Sequence, residues 1–363
     1  MTTSFPAFDV ALFPASGERE ELIRDVQAGL RSRPRSLKPW MLYDELGSQL
    51  FERITTLAEY YPTRTERSLL ESHADAILAA ACSDSQPLRV LELGAGTASK
   101  TCVLLAAAVR RRIDVVYMPL DVSADALEIA CRDVEFAFPE VQTEPLVANY
   151  INSPPRLDEF DGSTIALYLG SSIGNFLPDE SRTILINLRS QLRSDDVLVL
   201  GTDLAKHEST LVAAYDDNEG VTAEFNLNIL KRLNKELDAN FDLAGFRHRV
   251  RWNAVESRIE MHLESIRDQY VRIVDADLEL HFKNGESIHT ENSYKFTNVA
   301  LGALLSDSGF EIQHTWKDAR DWYALTLSRR HGHAEDSSAS DRDTQDPAVG
   351  SWRCPRTSDG SRG

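Results

Sequence analysis

The chain has 363 residues, with 39 Lys and Arg against 57 Asp and Glu and a formal charge of −18. That length suits a large α/β core with an insertion, or two domains, and the acidic balance argues against nonspecific binding to nucleic acid or an anionic membrane. No apolar run approaches the roughly 20 residues of a bilayer span, and the N-terminus lacks the charged-then-apolar layout of a signal peptide, so a cytoplasmic protein is expected.

In chain order, residues up to Arg64 read as mostly helical, with Tyr43, Tyr60 and Tyr61 clustered around Leu50, Phe51 and Ile54. The stretch 59–64 reads as a helix stop at a rigid Pro62 corner, with a new helix starting at Thr65. From Pro87 to Lys206 short apolar strands alternate with helical periodicity, the pattern of a doubly wound parallel sheet. Strands are expected at 88–93, 115–120, 144–148, 164–169 and 197–202, with helices at 99–109, 124–136 and 179–191 between them. A helix at 298–308 and two strands, 311–316 and 322–328, close the order after an interruption of about ninety residues from His207 to Tyr294. Five parallel strands, a helix and a closing antiparallel pair describe the Rossmann-like sheet of S-adenosylmethionine-dependent methyltransferases, and the insertion is the natural place for substrate recognition. Residues 331–363 are rich in Ser, Asp, Gly and Arg with almost no aliphatic side chains, as in a disordered tail.

The most informative turn is Glu92-Leu93-Gly94-Ala95-Gly96-Thr97, where an apolar strand meets a helix start and backbone N–H groups become available to a nucleotide-like cofactor. Glu92 places a carboxylate near that turn, able to meet a cationic sulfonium and to repel a pyrophosphate. Ser99 stands where a dinucleotide fingerprint wants its third glycine, which lowers a NAD reading. Asp121, ending the second strand, can accept both hydroxyls of a ribose from either cofactor. Lys100 is a cofactor contact or a solvated surface lysine, and Asn149-Tyr150 reads an adenine or makes a structural turn. S-adenosylmethionine is favoured over NAD.

The nine histidines show no HExxH or other metal spacing, and His248, His262 and His281 read as surface residues, so no metal is expected. Cys82, Cys102, Cys131 and Cys354 form no CxxC pair, and the first three lie in or beside apolar patterns, as reduced core cysteines do. Asp216-Asp217 reads as a solvated face. Asn175 follows the fourth strand in a Gly-Asn-Phe turn, either at the ligand-binding edge of the sheet or capping the helix that begins near Pro178. Glu291 and Ser293, two apart on one strand, share a face; they make either an exposed polar edge or a carboxylate and hydroxyl able to read an imidazole.

Several collinear peptides resemble one family: Tyr-Asp-Glu-Leu-Gly-Ser-Gln-Leu-Phe (43–51), Glu-Tyr-Tyr-Pro-Thr-Arg (59–64), Glu-Leu-Gly-Ala-Gly-Thr (92–97), Leu-Gly-Ser-Ser-Ile-Gly-Asn-Phe (169–176), Ala-Tyr-Asp-Asp (214–217), Thr-Ala-Glu-Phe-Asn-Leu-Asn (222–228), Arg-Ile-Glu-Met-His-Leu (258–263) and Thr-Glu-Asn-Ser-Tyr-Lys-Phe (290–296). They are similar to the L-histidine Nα-methyltransferases of ergothioneine biosynthesis, over roughly residues 20 to 328. The resemblance implies a monomeric enzyme that trimethylates the α-amine of histidine to hercynine, with S-adenosylmethionine as donor and no nucleic acid or membrane partner. It puts Gly94, Lys100, Asp121, Asn149 and Tyr150 on cofactor positions, the pair 149–150 departing from the usual Asp-Phe. It puts Tyr60, Asn175, Tyr215, Glu291 and Ser293 on histidine, with Tyr43, Phe225 and Met261 on the pocket walls and Tyr43 and Asn175 nearest the chemistry.

The expected division is a methyltransferase core at 65–206 and 295–330, an α+β substrate-binding domain at 5–64 and 207–294, and the tail. The competing readings are a methyltransferase of the same family acting on another amino acid such as tryptophan, a non-catalytic module binding S-adenosylmethionine or an amino acid, and an NAD oxidoreductase, which lacks a recognisable hydride-transfer acid.

Overall fold

The computed structural model describes residues 15–83, 86–121, 124–148 and 156–331, all within one compact unit that ends at His331. Outside the described residues lie the expected tail from residue 332 on, residues 5–14 and the pair Asn149-Tyr150. Strands Leu88–Leu93, Ser163–Tyr168 and Val197–Asp203 are buried along their whole length, which is why they read as apolar runs without alternation. The eight-stranded sheet runs in the order Phe310–Lys317, Tyr323–Arg330, Val197–Asp203, Ser163–Tyr168, Leu88–Leu93, Val115–Asp121, Gln142–Thr143, with Leu146–Val147 also paired to Val115–Asp121. Pairing is parallel except at Tyr323–Arg330, antiparallel to both of its neighbours.

Helices Thr101–Arg110, Ala124–Ala137, Pro178–Gln191 and Asn298–Asp307 fall close to the expected spans. Two local expectations change. The single strand at 144–148 is replaced by Gln142–Thr143 and Leu146–Val147, broken around Pro145, which has no N–H for a ladder. The helix expected to restart at Thr65 starts at Tyr61 and runs to Ala81, because Pro62 sits in its first turn, where a missing N–H costs nothing.

The remaining elements build a second sheet, ordered Arg35–Ser36, Ser287–Tyr294, Arg258–Ser265, Phe246–Asn253, and a hairpin of Gln269–Ile273 with Leu278–Phe282. Helices Ala15–Arg31, Glu45–Thr56, Glu208–Tyr215 and Val221–Glu236 accompany them. A single apolar core joins Leu22, Val26 and Leu30 of the first helix to Phe225, Ile229, Leu263 and Phe282, so the N-terminal segment and the insertion pack as one body. Two of these helix starts are set by carboxylates: Asp44 Oδ1 accepts from Gly47 N at 2.7 Å, and Asp217 accepts from Val221 N at 2.9 Å and Thr222 N at 2.8 Å. Asp217 is thus buried as a cap rather than solvated, while Asp216 is exposed. Of the three histidines expected at surfaces, His281 is exposed, His248 is half-buried between Asn226 and the carbonyl of Tyr215, and His262 is buried.

Candidate active site

The carboxyl ends of the central strands converge where the strand order reverses, the place where open α/β sheets bind ligands. Gly94 and Gly96 both take positive φ, 67° and 51°, and a Cβ on Gly96 would meet nothing within 4 Å, so the turn opens onto free space. Gly94 N donates to Leu120 O at 2.8 Å, and Gly96 N lies 3.4 Å from Asp121 Oδ2, which sets the turn and the Asp121 carboxylate side by side. An open backbone beside a carboxylate suits the amino-acid and ribose parts of S-adenosylmethionine, whose sulfonium supplies an electrophilic methyl when bound.

Glu92 does not serve as expected. It is buried, with its oxygens accepting from Thr101 Oγ1 at 2.6 Å and Tyr117 OH at 2.5 Å, so it braces the helix after the turn instead of facing a sulfonium. Burial pushes its carboxyl up to about 7 against those two hydrogen bonds.

Lys100 is not a solvated surface lysine. Its Nζ donates to Glu66 Oε2 at 2.6 Å, and Glu66, fully buried, also accepts from Gly170 N at 2.9 Å and Tyr323 OH at 2.7 Å. Glu66 fits because Gly201 faces it: a Cβ there would lie 1.9 Å from Glu66 Oε1. The ammonium keeps donors to spare toward the rim.

The second group of expected residues comes together from five elements and from the two connections that carry Tyr43 and Tyr60. Strand Ser287–Tyr294 carries a bulge: His289 pairs with His262 but Glu291 pairs with Met261, leaving Thr290 as the extra residue. Simple alternation puts 289, 291 and 293 on one face. The bulge separates them, leaving His289 beside His262, with ring centroids 5.0 Å apart, while Glu291 and Ser293 pair with Met261 and Ile259. Thr290 is pinned by hydrogen bonds to Asn226 Oδ1 at 2.6 Å and Met261 O at 3.1 Å. Both Glu291 and Ser293 are buried in a strand flanked by two others, not at an exposed edge.

Asn175, in the turn Ser172–Asn175, directs Nδ2 at Glu291 Oε1 at 3.4 Å instead of capping the next helix, whose N-cap is Leu177. The turn comes this close because Gly174 packs on strand backbone: a Cβ there would lie 2.8 Å from Tyr294 O. Around this point Tyr43 meets Phe225 edge-on at 5.4 Å and Phe51 at 5.7 Å, Phe51 meets Tyr60 at 6.2 Å, and Tyr60 meets Tyr215 at 6.2 Å. These T-shaped contacts hold a stiff aromatic wall. Burial pushes the Glu291 carboxyl up to about 7, opposed by the charge of Lys295, and raises the phenols of Tyr60 and Tyr215.

The sequence reading missed the charged layer beneath. Asp203, at the end of its strand, pairs with Lys206 and with Lys295 Nζ at 2.9 Å and accepts from Tyr61 OH at 2.9 Å. Burial lowers Lys206 to about 8 even with Asp203 raising it. Lys295 and Asp203 lie 92 positions apart, so no local pattern pairs them; the available signal was a lysine ending a polar strand, in Ser293-Tyr294-Lys295. Glu52 was missed too: the tip of helix Glu45–Thr56 reaches the glycine turn, where Thr97 Oγ1 lies 3.4 Å from Glu52 Oε1 and burial raises that carboxyl.

Among the described residues no group of three or more His, Cys, Asp and Glu is placed to hold a metal ion, and no helix is long and apolar enough to cross a membrane. Of the candidates, Gly94, Lys100 and Asp121 gather at the glycine rim, whereas Tyr43, Tyr60, Asn175, Tyr215, Phe225, Met261, Glu291 and Ser293 gather in the aromatic pocket.

This sheet order, with an open glycine turn after its first strand and a carboxylate after its second, defines an S-adenosylmethionine-dependent methyltransferase. A family profile described as histidine-specific methyltransferase, SAM-dependent, matches residues 22–330, and the chain belongs to that family. It is 40% identical over 316 residues to histidine N-alpha-methyltransferase of Mycolicibacterium smegmatis, covering 87% of this chain and 97% of that protein. It is 38% identical to the histidine N-alpha-methyltransferase of Mycobacterium tuberculosis, over 85% of this chain and 95% of that protein. Ergothioneine biosynthesis protein 1 of Neurospora crassa is 29% identical over 81% of this chain and 33% of its own length.

Proposed function

We propose that the protein transfers three methyl groups in turn from S-adenosylmethionine to the α-amine of L-histidine, giving hercynine for ergothioneine biosynthesis. The observation that carries this reading is the meeting of Glu291, Asn175, Ser293 and Tyr215, from three separate elements, in a pocket walled by aromatics. Gly94, Lys100 and Asp121 hold the donor at the rim, and Asn149-Tyr150 completes the adenine end. Glu291 accepts the imidazole N–H with Ser293 beside it, Tyr60, Phe225 and Met261 enclose the ring, and Asn175 and Tyr215 hold the amino-acid end. Tyr43 and Asn175 orient the amine.

Each transfer requires an uncharged amine, so one proton leaves the ammonium before every attack and the enzyme's main task is alignment and exclusion of bulk water. Residues 65–206 and 295–330 act as the donor-binding part and 5–64 with 207–294 as the substrate part. The two histidine N-alpha-methyltransferases to which the chain is similar support histidine as substrate. Mass spectrometry of protein incubated with S-adenosylmethionine and each free amino acid is the test: histidine carrying one, two and then three methyl groups is expected, and tryptophan turning over faster than histidine ends the proposal. The same reading has the protein act as a monomer in the cytoplasm, checked by sedimentation and cell fractionation.

A further inference from the structure

Lys295 is fully buried, and its Nζ has three partners: Asp203 Oδ2 at 2.9 Å, Tyr215 Oη at 2.8 Å and Ser293 Oγ at 2.8 Å. An ammonium carries three N–H donors and no acceptor, so each partner takes one donor. Tyr215 Oη and Ser293 Oγ are 2.7 Å apart and share a further hydrogen bond. Two hydroxyl protons therefore remain on oxygens that already accept from the ammonium. One serves their mutual bond, and the other points away from the trio. A phenol is the more acidic hydroxyl and the better donor, whereas an alkyl hydroxyl oxygen is the better acceptor, so the mutual bond runs from Tyr215 to Ser293. The outward proton belongs to Ser293.

We propose that Lys295 is a positioning residue that sets the hydrogen-bond polarity of the pocket: it fixes Ser293 as a donor beside the acceptor Glu291, so that the pocket selects a ring with one N–H and one bare nitrogen, the neutral imidazole. This rests on the histidine reading above. A pyrrole or indole ring has an N–H but no bare nitrogen and leaves the Ser293 proton unmatched; an imidazolium sets a donor against a donor. A site built to hydrogen-bond one group rejects the analogue lacking it far better than an apolar pocket does. Asp203 keeps Lys206 and Tyr61 when Lys295 is removed, so the lysine can be replaced without stranding its carboxylate partner.

The test compares L-histidine with its pyrrole analogue, which keeps a ring N–H and lacks the bare nitrogen, in wild-type, Lys295→Met and Lys295→Arg enzymes. Wild type prefers histidine in kcat/KM by about tenfold or more, the worth of one hydrogen bond. Lys295→Met brings that ratio close to one, chiefly through a raised KM for histidine, with the KM for S-adenosylmethionine unchanged; Lys295→Arg restores part of the ratio. Glu291 is faced by Asn175, Tyr60, Tyr215 and Lys295, of which Lys295 holds its carboxyl down, so Lys295→Met also moves the acidic limb of the histidine pH profile upward. A Lys295→Met enzyme that is slower but keeps the wild-type ratio overturns the proposal. Should that variant not fold, Ser293→Ala decides: a collapsed ratio supports the wiring and an unchanged ratio overturns it. Wild-type protein that methylates neither amino acid refutes the histidine reading itself, a result distinct from wild-type preference surviving in Lys295→Met.

Discussion

The glycine rim and the aromatic pocket are built by different means. At the rim, backbone does the positioning: Gly94 and Gly96 take left-handed φ, Gly94 N ties to Leu120 O, and consecutive strands bring Asp121 alongside. In the pocket, side chains from positions 43, 60, 175, 215, 225, 261, 291 and 293 meet, and the decisive backbone feature is one extra residue, Thr290. A rim made of backbone accepts many ligands of one shape. A pocket made of side chains over a charged layer is suited to selecting one chemistry, and under the proposed function it is where substitutions are expected to change specificity without changing the donor.

The largest effect expected from separating the two regions is at Glu291. Glu291→Ala removes a charge-assisted hydrogen bond of about 1.5–3 kcal/mol and raises the KM for histidine by roughly ten- to a hundredfold. The dissociation constant for S-adenosylmethionine, measured by calorimetry, stays at the wild-type value; an unchanged histidine KM would remove Glu291 from the pocket. Gly201→Ala attacks the support under the rim. Its new Cβ meets the buried Glu66 carboxylate, so a loss of about 1–3 kcal/mol in urea unfolding is expected, with weaker cofactor binding as Lys100 is displaced. A stability equal to wild type would show that Glu66 is free to move aside.

Asp121→Ala sharpens the comparison from the other side, weakening S-adenosylmethionine by about tenfold or more while leaving histidine's own binding intact. A change confined to the histidine constant would reverse that assignment. The smallest effect is in the pH dependence of stability. Glu92 is raised to about 7, so its contribution is full below the ordinary carboxylate value of 4.5 and is lost as pH rises through about 7. His262, lowered to about 4 by burial and by His289, acts oppositely: its contribution is full above 6.5 and is lost as pH falls through about 4. The two nearly offset in wild type between pH 5 and 6.5. Glu92→Gln exposes the histidine term as a steeper rise of the unfolding midpoint with pH, and identical slopes for the two proteins would show that Glu92 keeps its charge throughout.

The main sheet was legible because each central strand announces itself as a short, predominantly apolar run and each helix as a 3.6-residue period; strand 88–93 and the helices after it fall where those signals put them. Errors arose where one residue carries two meanings. Pro62 reads as a breaker yet opens a helix, and Pro145 sits inside an apolar run yet splits it. Among site residues, the resemblance supplied the pocket members, and the residues alone left Glu291 and Ser293 between an exposed edge and a binding face. Glu92 misled because a carboxylate beside a glycine turn has the same sequence signature whether it faces ligand or helix.

The sequence by itself determined the doubly wound sheet, the open glycine turn and the set of polar and aromatic residues available, because periodicity and glycine conformation are local properties. Only the tertiary structure decided which face Glu291 presents, that Asp217 and Glu92 brace the helices that follow them, and that Lys295 and Asp203 meet beneath the pocket. Those outcomes depend on a bulge in strand pairing and on contacts between positions far apart in the chain, and neither leaves a periodic trace in the order of residues.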